Sequence, residues 1–222
     1  MRAVVNVSTG RYVSGLHRLH AALNGFDGML LFYRDTLPAG SPSHATAPYA
    51  FKAAAMREAI NRGATTVLWA DASIVPRGDM EPLWQHIERE GYWIDANGWS
   101  TSQWCVDSAL GPLGITREQA MDITHPVATT FAIDTRCAPA MAAFEEWERL
   151  AMEGTAFQGP WRIPPCIDRL PEAHEVGGHR HDQTALGVVA WRHGLTLTRE
   201  PRYFAYAGSE APETVLVATC VT

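Results

Sequence analysis

Four short clusters carry the residue types from which a reactive site could be built. The first is Leu68-Trp69-Ala70-Asp71-Ala72-Ser73, which puts a carboxylate at the carboxyl end of an apolar, strand-like run. In open α/β sheets ligands bind at that edge. An Asp there can hold a divalent cation that bridges phosphate oxygens, and Ser73 adds a hydroxyl. The plainer reading is an Asp that caps the turn. The second cluster is Gly177-Gly178-His179-Arg180-His181-Asp182-Gln183. Two glycines allow a tight turn or a close approach to a ligand. Imidazole and carboxylate are metal ligands, and a guanidinium suits a diphosphate. Asp182 is also a good cap for a following helix. The third is Lys52 in Tyr49-Ala50-Phe51-Lys52, where a cation near a helix start is poorly placed for the helix dipole but well placed for a ligand phosphate. A solvated lysine is the ordinary alternative. The fourth is the run Asn97 to Asp107, NGWSTSQWCVD, in which Trp99 and Trp104 sit among hydroxyls, amides and Asp107. Indole faces rimmed by hydrogen-bonding groups suit sugars or bases.

The elements that must position these groups follow from periodicity. Ala3 to Val7 is continuous and β-branched, as a buried parallel strand should be. Leu16, Leu19, Leu23 and Phe26 recur at helical spacing up to Asn24-Gly25. Met29 to Tyr33 reads as a strand, Tyr49 to Arg62 as an alanine-rich helix, and Thr65 to Ala70 as the strongest strand of all. Strand, helix, strand, helix, strand in about 70 residues argues for an α/β fold with a largely parallel sheet. Further along, helices are expected over Met80 to Glu90, Ser102 to Leu110, Thr116 to Met121 (a capping box with Gln119), Ala138 to Met152 and Asp182 to His193. Strands are expected over Gly91 to Ile94, Val127 to Ile133 and Leu195 to Thr198. Gly154 to Gly178 reads as a long loop with four prolines, of the kind that is usually functional, disordered or both. Trp69, Trp84, Trp147 and Trp191 fall on apolar faces and are assigned to packing; Trp161, like Trp99 and Trp104, is loop-borne and stays a candidate for ligand contact.

Composition narrows the partners. The chain has 222 residues and a net charge of −6, and its 18 basic residues are 17 Arg and the single Lys52. A general electrostatic grip on nucleic acid or anionic membrane is disfavoured by that balance, although a modified base as a small acceptor is not excluded. Cys105, Cys137, Cys166 and Cys220 form no CxxC pair, so free thiols in a reducing compartment are expected. No run is long enough for a membrane span and the first residues carry no signal-like apolar core, so a cytoplasmic location is expected. GxGxxG after a strand, Walker A, GxSxG and HExxH patterns are absent, which removes weight from classical dinucleotide enzymes, P-loop NTPases, α/β-hydrolases and zincins.

Taken together, VLWADAS (67–73), YAFKAAAMREAI (49–60), GHRHDQTALGVVAW (178–191) and VVNVSTGRY (4–12) resemble the nucleotide-sugar glycosyltransferases of the GT-A type. The likeness spans residues 3–198. It implies one Rossmann-like domain with a mixed, mostly parallel sheet: a nucleotide-binding half over 1–75, an acceptor-side half over 76–200 and a C-terminal tail over 201–222. It further implies a nucleotide-sugar co-substrate, most naturally a UDP-sugar, and a divalent cation, Mn²⁺ or Mg²⁺. Thr9, Tyr12, Lys52, Asp71, Ala72, Ser73 and Arg180 would bind the donor, and Trp99 and Trp104 the acceptor. Asp71, Ser73, His179 and His181 would hold the metal. Asp182, Gln183 and Asp107 would act on the reacting centre. The family's second acidic position is Ser73 here, which weakens the metal site. Two other classes compete. A nucleotidyltransferase would show a glycine-rich basic loop after the first strand, where this chain has Ser8-Thr9-Gly10-Arg11. A binding module without catalysis would bind a nucleotide or carbohydrate and not turn it over.

Overall fold

The computed structural model describes residues 1–162 and 176–220. The chain begins with β1 (Arg2–Ser8), α1 (Val13–Ala22), β2 (Met29–Arg34), α2 (Phe51–Asn61) and β3 (Thr66–Ala70). There follow β4 (Ile74–Pro76), α3 (Glu81–Glu90), β5 (Tyr92–Trp93), β6 (Ala96–Ser100), α4 (Asp107–Leu113), α5 (Arg117–Asp122), β7 (Thr124–Pro126) and β8 (Thr130–Asp134). The rest is α6 (Ala138–Glu153), α7 (His181–Arg192), β9 (Phe204–Tyr206) and β10 (Leu216–Ala218).

The expected mixed α/β architecture is what forms. The central sheet has the order β2-β1-β3-β8-β5. β1 pairs in parallel with both β2 and β3, whereas β8 runs antiparallel to β3 and to β5. Four of the five strands therefore point the same way. The chain leaves β1 towards β2 on one side and returns to β3 on the other, so the carboxyl ends of β1 and β3 flank a topological switch point.

Alternation along the strands divides the core. Ala3, Val5 and Val7 with Val67 and Trp69 pack on one side, with α2, α6 and α7 residues such as Met56, Trp147 and Val188. Val4, Leu68 and Ala70 pack on the other, with Leu19, Trp84, Ile87 and Leu216. A side-chain period of two thus buries both faces of each central strand, which explains their unbroken apolar runs. Trp191, assigned to packing from the sequence, is instead 42% exposed in the last turn of α7.

Several boundaries shift. The expected helix from Ser102 to Leu110 is a 3₁₀ turn, Thr101–Trp104, followed by α4. The expected capping box forms: Thr116 Oγ1 accepts from the Gln119 amide and Gln119 Oε1 from the Thr116 amide. Leu195 to Thr198 makes only an isolated bridge, Asp95 with Thr198. The region from 201 onward is not a simple tail. β9 and β10 join β4 in a three-stranded sheet, order β4-β10-β9, while β6 and β7 form a separate pair. Cys105, Cys137 and Cys220 are free thiols, as expected. Cys166 and most of the proline-rich loop lie outside the described residues. Among those residues no helix is long and apolar enough to cross a membrane.

Candidate functional site

Two cavities open at the carboxyl edge of the sheet. The first, about 470 Å³, is lined by the end of β1 (Val7, Thr9), Tyr12, Leu37, an aromatic group of His44, Tyr49 and Phe51, and Asp71, Ala72 and Ser73. The 71–73 turn is tightly held. The Asp71 amide donates to the Thr129 carbonyl at 2.8 Å and the Ile74 amide to Asp71 O at 2.9 Å. Helix α1 presses on the turn so closely that a Cβ at Gly15 would lie 2.1 Å from the Ala72 carbonyl oxygen, which only glycine permits. The neighbouring loop is fixed as well: the Gly10 amide donates to Asp35 Oδ1 at 2.8 Å. Beneath, Asn6 Nδ2 donates to the Ala70 carbonyl at 2.6 Å, joining the ends of β1 and β3.

Lys52 lies under this wall and not in it. It is 3% exposed and lines neither cavity. Its Nζ donates to the Ala128 carbonyl at 2.8 Å and stands 3.2 Å from Asp71 Oδ1 and 2.9 Å from Asp182 Oδ2. It also faces the rings of Tyr49 and Trp69, each at 5.3 Å. Trp69 Nε1 adds a 2.7 Å hydrogen bond to Asp71 Oδ1. Burial alone would lower the Lys52 ammonium, but Asp182 and Asp71 hold it above the usual lysine range. Burial raises both carboxylates, against the pull of Lys52. One ammonium thus serves both carboxylates. The expectation that Lys52 and Asp182 meet the ligand directly is therefore corrected: both are buried, and they fix Asp71 from behind.

Asp71 Oδ1 is fully engaged, whereas Oδ2 has no partner among the described residues. Asp71 and Ser73, side by side on the cavity wall, fit a hydrated divalent cation carried in on a diphosphate, since such ions are commonly held by one or two carboxylates plus substrate oxygens. His179 and His181 do not complete that set. His179 is buried and its Nε2 donates to the Ala156 carbonyl at 3.0 Å; His181 Nδ1 donates to Phe157 O at 2.8 Å. Burial lowers both imidazoles, His179 to about 4, so they stand neutral as backbone donors. Among the described residues no three His, Cys, Asp or Glu side chains gather into a metal-binding group.

The second cavity, about 420 Å³, is built from β6 and its following turn (Asn97, Trp99, Trp104), from His125 and Thr129, and from Trp161, Arg162, Arg180, Gln183 and Tyr206. Trp99 stacks on Trp104 with centroids 4.5 Å apart. The Arg180 guanidinium lies 4.0 Å from the Trp104 ring centre and 3.9 Å from that of Trp161. Trp161 stacks on His181 at 5.7 Å, and His181 meets Tyr49 of the first cavity at 5.8 Å. One column of rings and a guanidinium thus runs between the two cavities. Glycine at 178 is what brings the chain into it, because a Cβ there would lie 2.1 Å from the Trp161 carbonyl oxygen. Gln183 donates Nε2 to the Pro126 carbonyl at 2.5 Å and faces this cavity. Arg180, expected at the donor, belongs to this second cavity. Asp107 belongs to neither: its side chain is 90% exposed at the start of α4 and pairs with Arg117. Trp161, a candidate from the sequence, is a wall of this cavity, whereas His125 carried no local signal.

No family model and no curated protein sequence matches the chain. Among solved structures it is similar to the galactosyltransferase LgtC, crystallised with donor and acceptor sugar analogs. The identity is 12% and the TM-score 0.49, covering 99% of this chain and 87% of that one.

Proposed function

We propose that the protein transfers a sugar from a nucleoside diphosphate sugar to a hydroxyl acceptor. The observation that carries this reading is the pairing of cavities. An aromatic one with Asp71 on its wall adjoins one walled by exposed tryptophans and Gln183, at the switch point of a mostly parallel sheet. Tyr12, His44, Tyr49 and Phe51 offer faces and edges for a base and ribose, most naturally those of a UDP-sugar. The diphosphate would lie along Thr9 and the 71–73 turn. A divalent cation brought with it would be held by Asp71 and Ser73 and would neutralise charge on the departing diphosphate.

The protein's own contribution is preorganisation. Lys52 and Trp69 lock Asp71 in one orientation, so no reorganisation is needed as charge develops. Asp182 acts as a positioning residue for Lys52. Gln183, with its amide nitrogen tied to Pro126, would present its carbonyl oxygen to the electron-poor sugar carbon. Trp99 and Trp161 would stack on the acceptor ring.

A panel of nucleoside diphosphate sugars, with and without Mn²⁺, tests the reading by release of nucleoside diphosphate. Turnover is expected with at least one donor, and Asp71→Ala is expected to lower kcat about 10²–10³-fold while leaving the fold intact. Binding with no turnover for any donor and acceptor would identify a non-catalytic module instead. Absence of both binding and turnover would reject the nucleotide site.

A further inference from the structure

The second cavity holds polar groups that no described residue satisfies. Trp104 Nε1, His125 Nε2, Thr129 Oγ1 and Arg180 Nη1 are each buried with no hydrogen-bond partner among the described residues, and all four residues line this one cavity. His125 is wholly buried, and burial holds its imidazole down at about 3, so it is neutral. Buried polar atoms are seldom left unmatched, because each costs the loss of its water. Four around a single space call for an occupant that supplies oxygen atoms.

The charge of the cavity specifies that occupant further. Arg162 and Arg180 both line it, and none of its ten described lining residues is an Asp or Glu. Among the described residues Arg180 has no ion pair with a carboxylate, and the charge acting on it is that of Arg162. Its neighbour Arg162 and its partial burial both weigh against its proton. An arginine held between two indoles cannot turn away to find solvent. Its free edge is fixed in the fork geometry that recognises carboxylate and phosphate. Trp99 and Trp161, 47% and 45% exposed, add flat faces beside that edge. The protein as a whole is acidic, at −6, so this positive pocket is a local feature against the general field.

We propose that the second cavity binds an anionic sugar or glycoside, its ring against Trp99 and Trp161 and its oxyanion on Arg180 and Arg162. As an acceptor assignment this rests on the glycosyl-transfer reading; as a binding site it stands without it. Carboxylate and phosphate share the chemistry that the guanidinium recognises, and the ligands chosen below separate them.

The test is ligand-observed NMR or calorimetric titration of the full-length protein with glucuronic acid, glucose 6-phosphate and glucose. At least one of the anionic sugars is expected to bind about tenfold more tightly than glucose. Whichever wins names the oxyanion, and the preference is expected to shrink as salt is raised. Arg180→Gln should abolish the preference. Arg162→Gln, at an exposed position where misfolding is not expected, should reduce it several-fold. Binding of a nucleoside diphosphate, measured in parallel, should be unchanged in both variants. Equal binding of all three sugars, no binding of any, or a preference that survives both substitutions would overturn the proposal. An anion preference that both substitutions weaken as expected, alongside failed nucleotide binding in the unsubstituted protein, would instead reject the glycosyl-transfer reading and leave this site standing.

Discussion

Beneath the first cavity a buried ammonium sits 3.2 and 2.9 Å from two carboxylates. Across the ring column, Arg180 lies between two indoles with one nitrogen unmatched among the described residues. The same protein has settled the charge of one region internally and left that of the other open. Internal settlement makes a rigid wall: Asp71 cannot swing, because Lys52 and Trp69 both hold Oδ1. Open charge makes a receptor, because its groups gain their partners only from a ligand. The contrast separates Lys52, whose loss should destabilise the fold, from residues whose loss should only change what the protein binds.

The largest effect is expected where the charge is already compensated. Lys52→Met would leave Asp71 and Asp182 together without a cation. A loss of about 3–5 kcal/mol in urea unfolding is expected, with much of it recovered when both carboxylates are also made amides. A loss below about 1 kcal/mol would break the contrast, since Lys52 would then be dispensable to the fold. Asp95 sharpens the comparison from the other side, as a buried carboxylate without a cation bonded to it. Burial raises its pKa to about 6, against about 3.9 in an unfolded chain. The folded state therefore keeps that proton longer, and stability falls as pH rises from about 4 to about 6, with the whole cost present above. Asp95→Asn is expected to stabilise the protein at pH 8 by on the order of 2 kcal/mol, with the difference vanishing near pH 4. Equal effects at both pH values would mean the carboxylate finds a partner in solution. The smallest effect belongs to the open region. Trp99→Ala should leave the melting temperature nearly unchanged and raise the acceptor KM several-fold, as a stacking contribution of about 0.5–1.5 kcal/mol implies. A large fall in melting temperature would show that Trp99 is part of the core after all.

How much of this was legible in the sequence depended on the range of the interaction. The first 70 residues declared their strand–helix alternation because both faces of β1 and β3 are buried and the apolar runs are continuous. Asp71 and Ser73 declared themselves by sitting where β3 ends. Lys52 drew attention as the single lysine, but its direction was hidden: its partner Asp182 is 130 residues away, and residue type does not say whether a side chain points in or out. His179 and His181 misled for the same reason. Their chemistry suits a metal, yet the carbonyls of Ala156 and Phe157 reached them first. Asp107 lay in a promising polar run, but α4 turns it outward to Arg117. The second cavity was half visible, through Trp99 and Trp104; its other wall, from Trp161, Arg180 and Tyr206, comes from three distant segments.

The turn that carries Asp71 has one more neighbour. The Thr219 amide and hydroxyl both reach the Ser73 carbonyl, at 2.8 and 3.2 Å, and β10 pairs with β4 directly after that turn. During synthesis every residue that lines either cavity is therefore made before the strand that clasps the 71–73 turn. A chain arrested just short of residue 216 would carry the whole chemical inventory of the site and still lack its latch. Contacts this remote in sequence are slow to form, so the emergence of function should track the arrival of β10 more closely than the assembly of the central sheet.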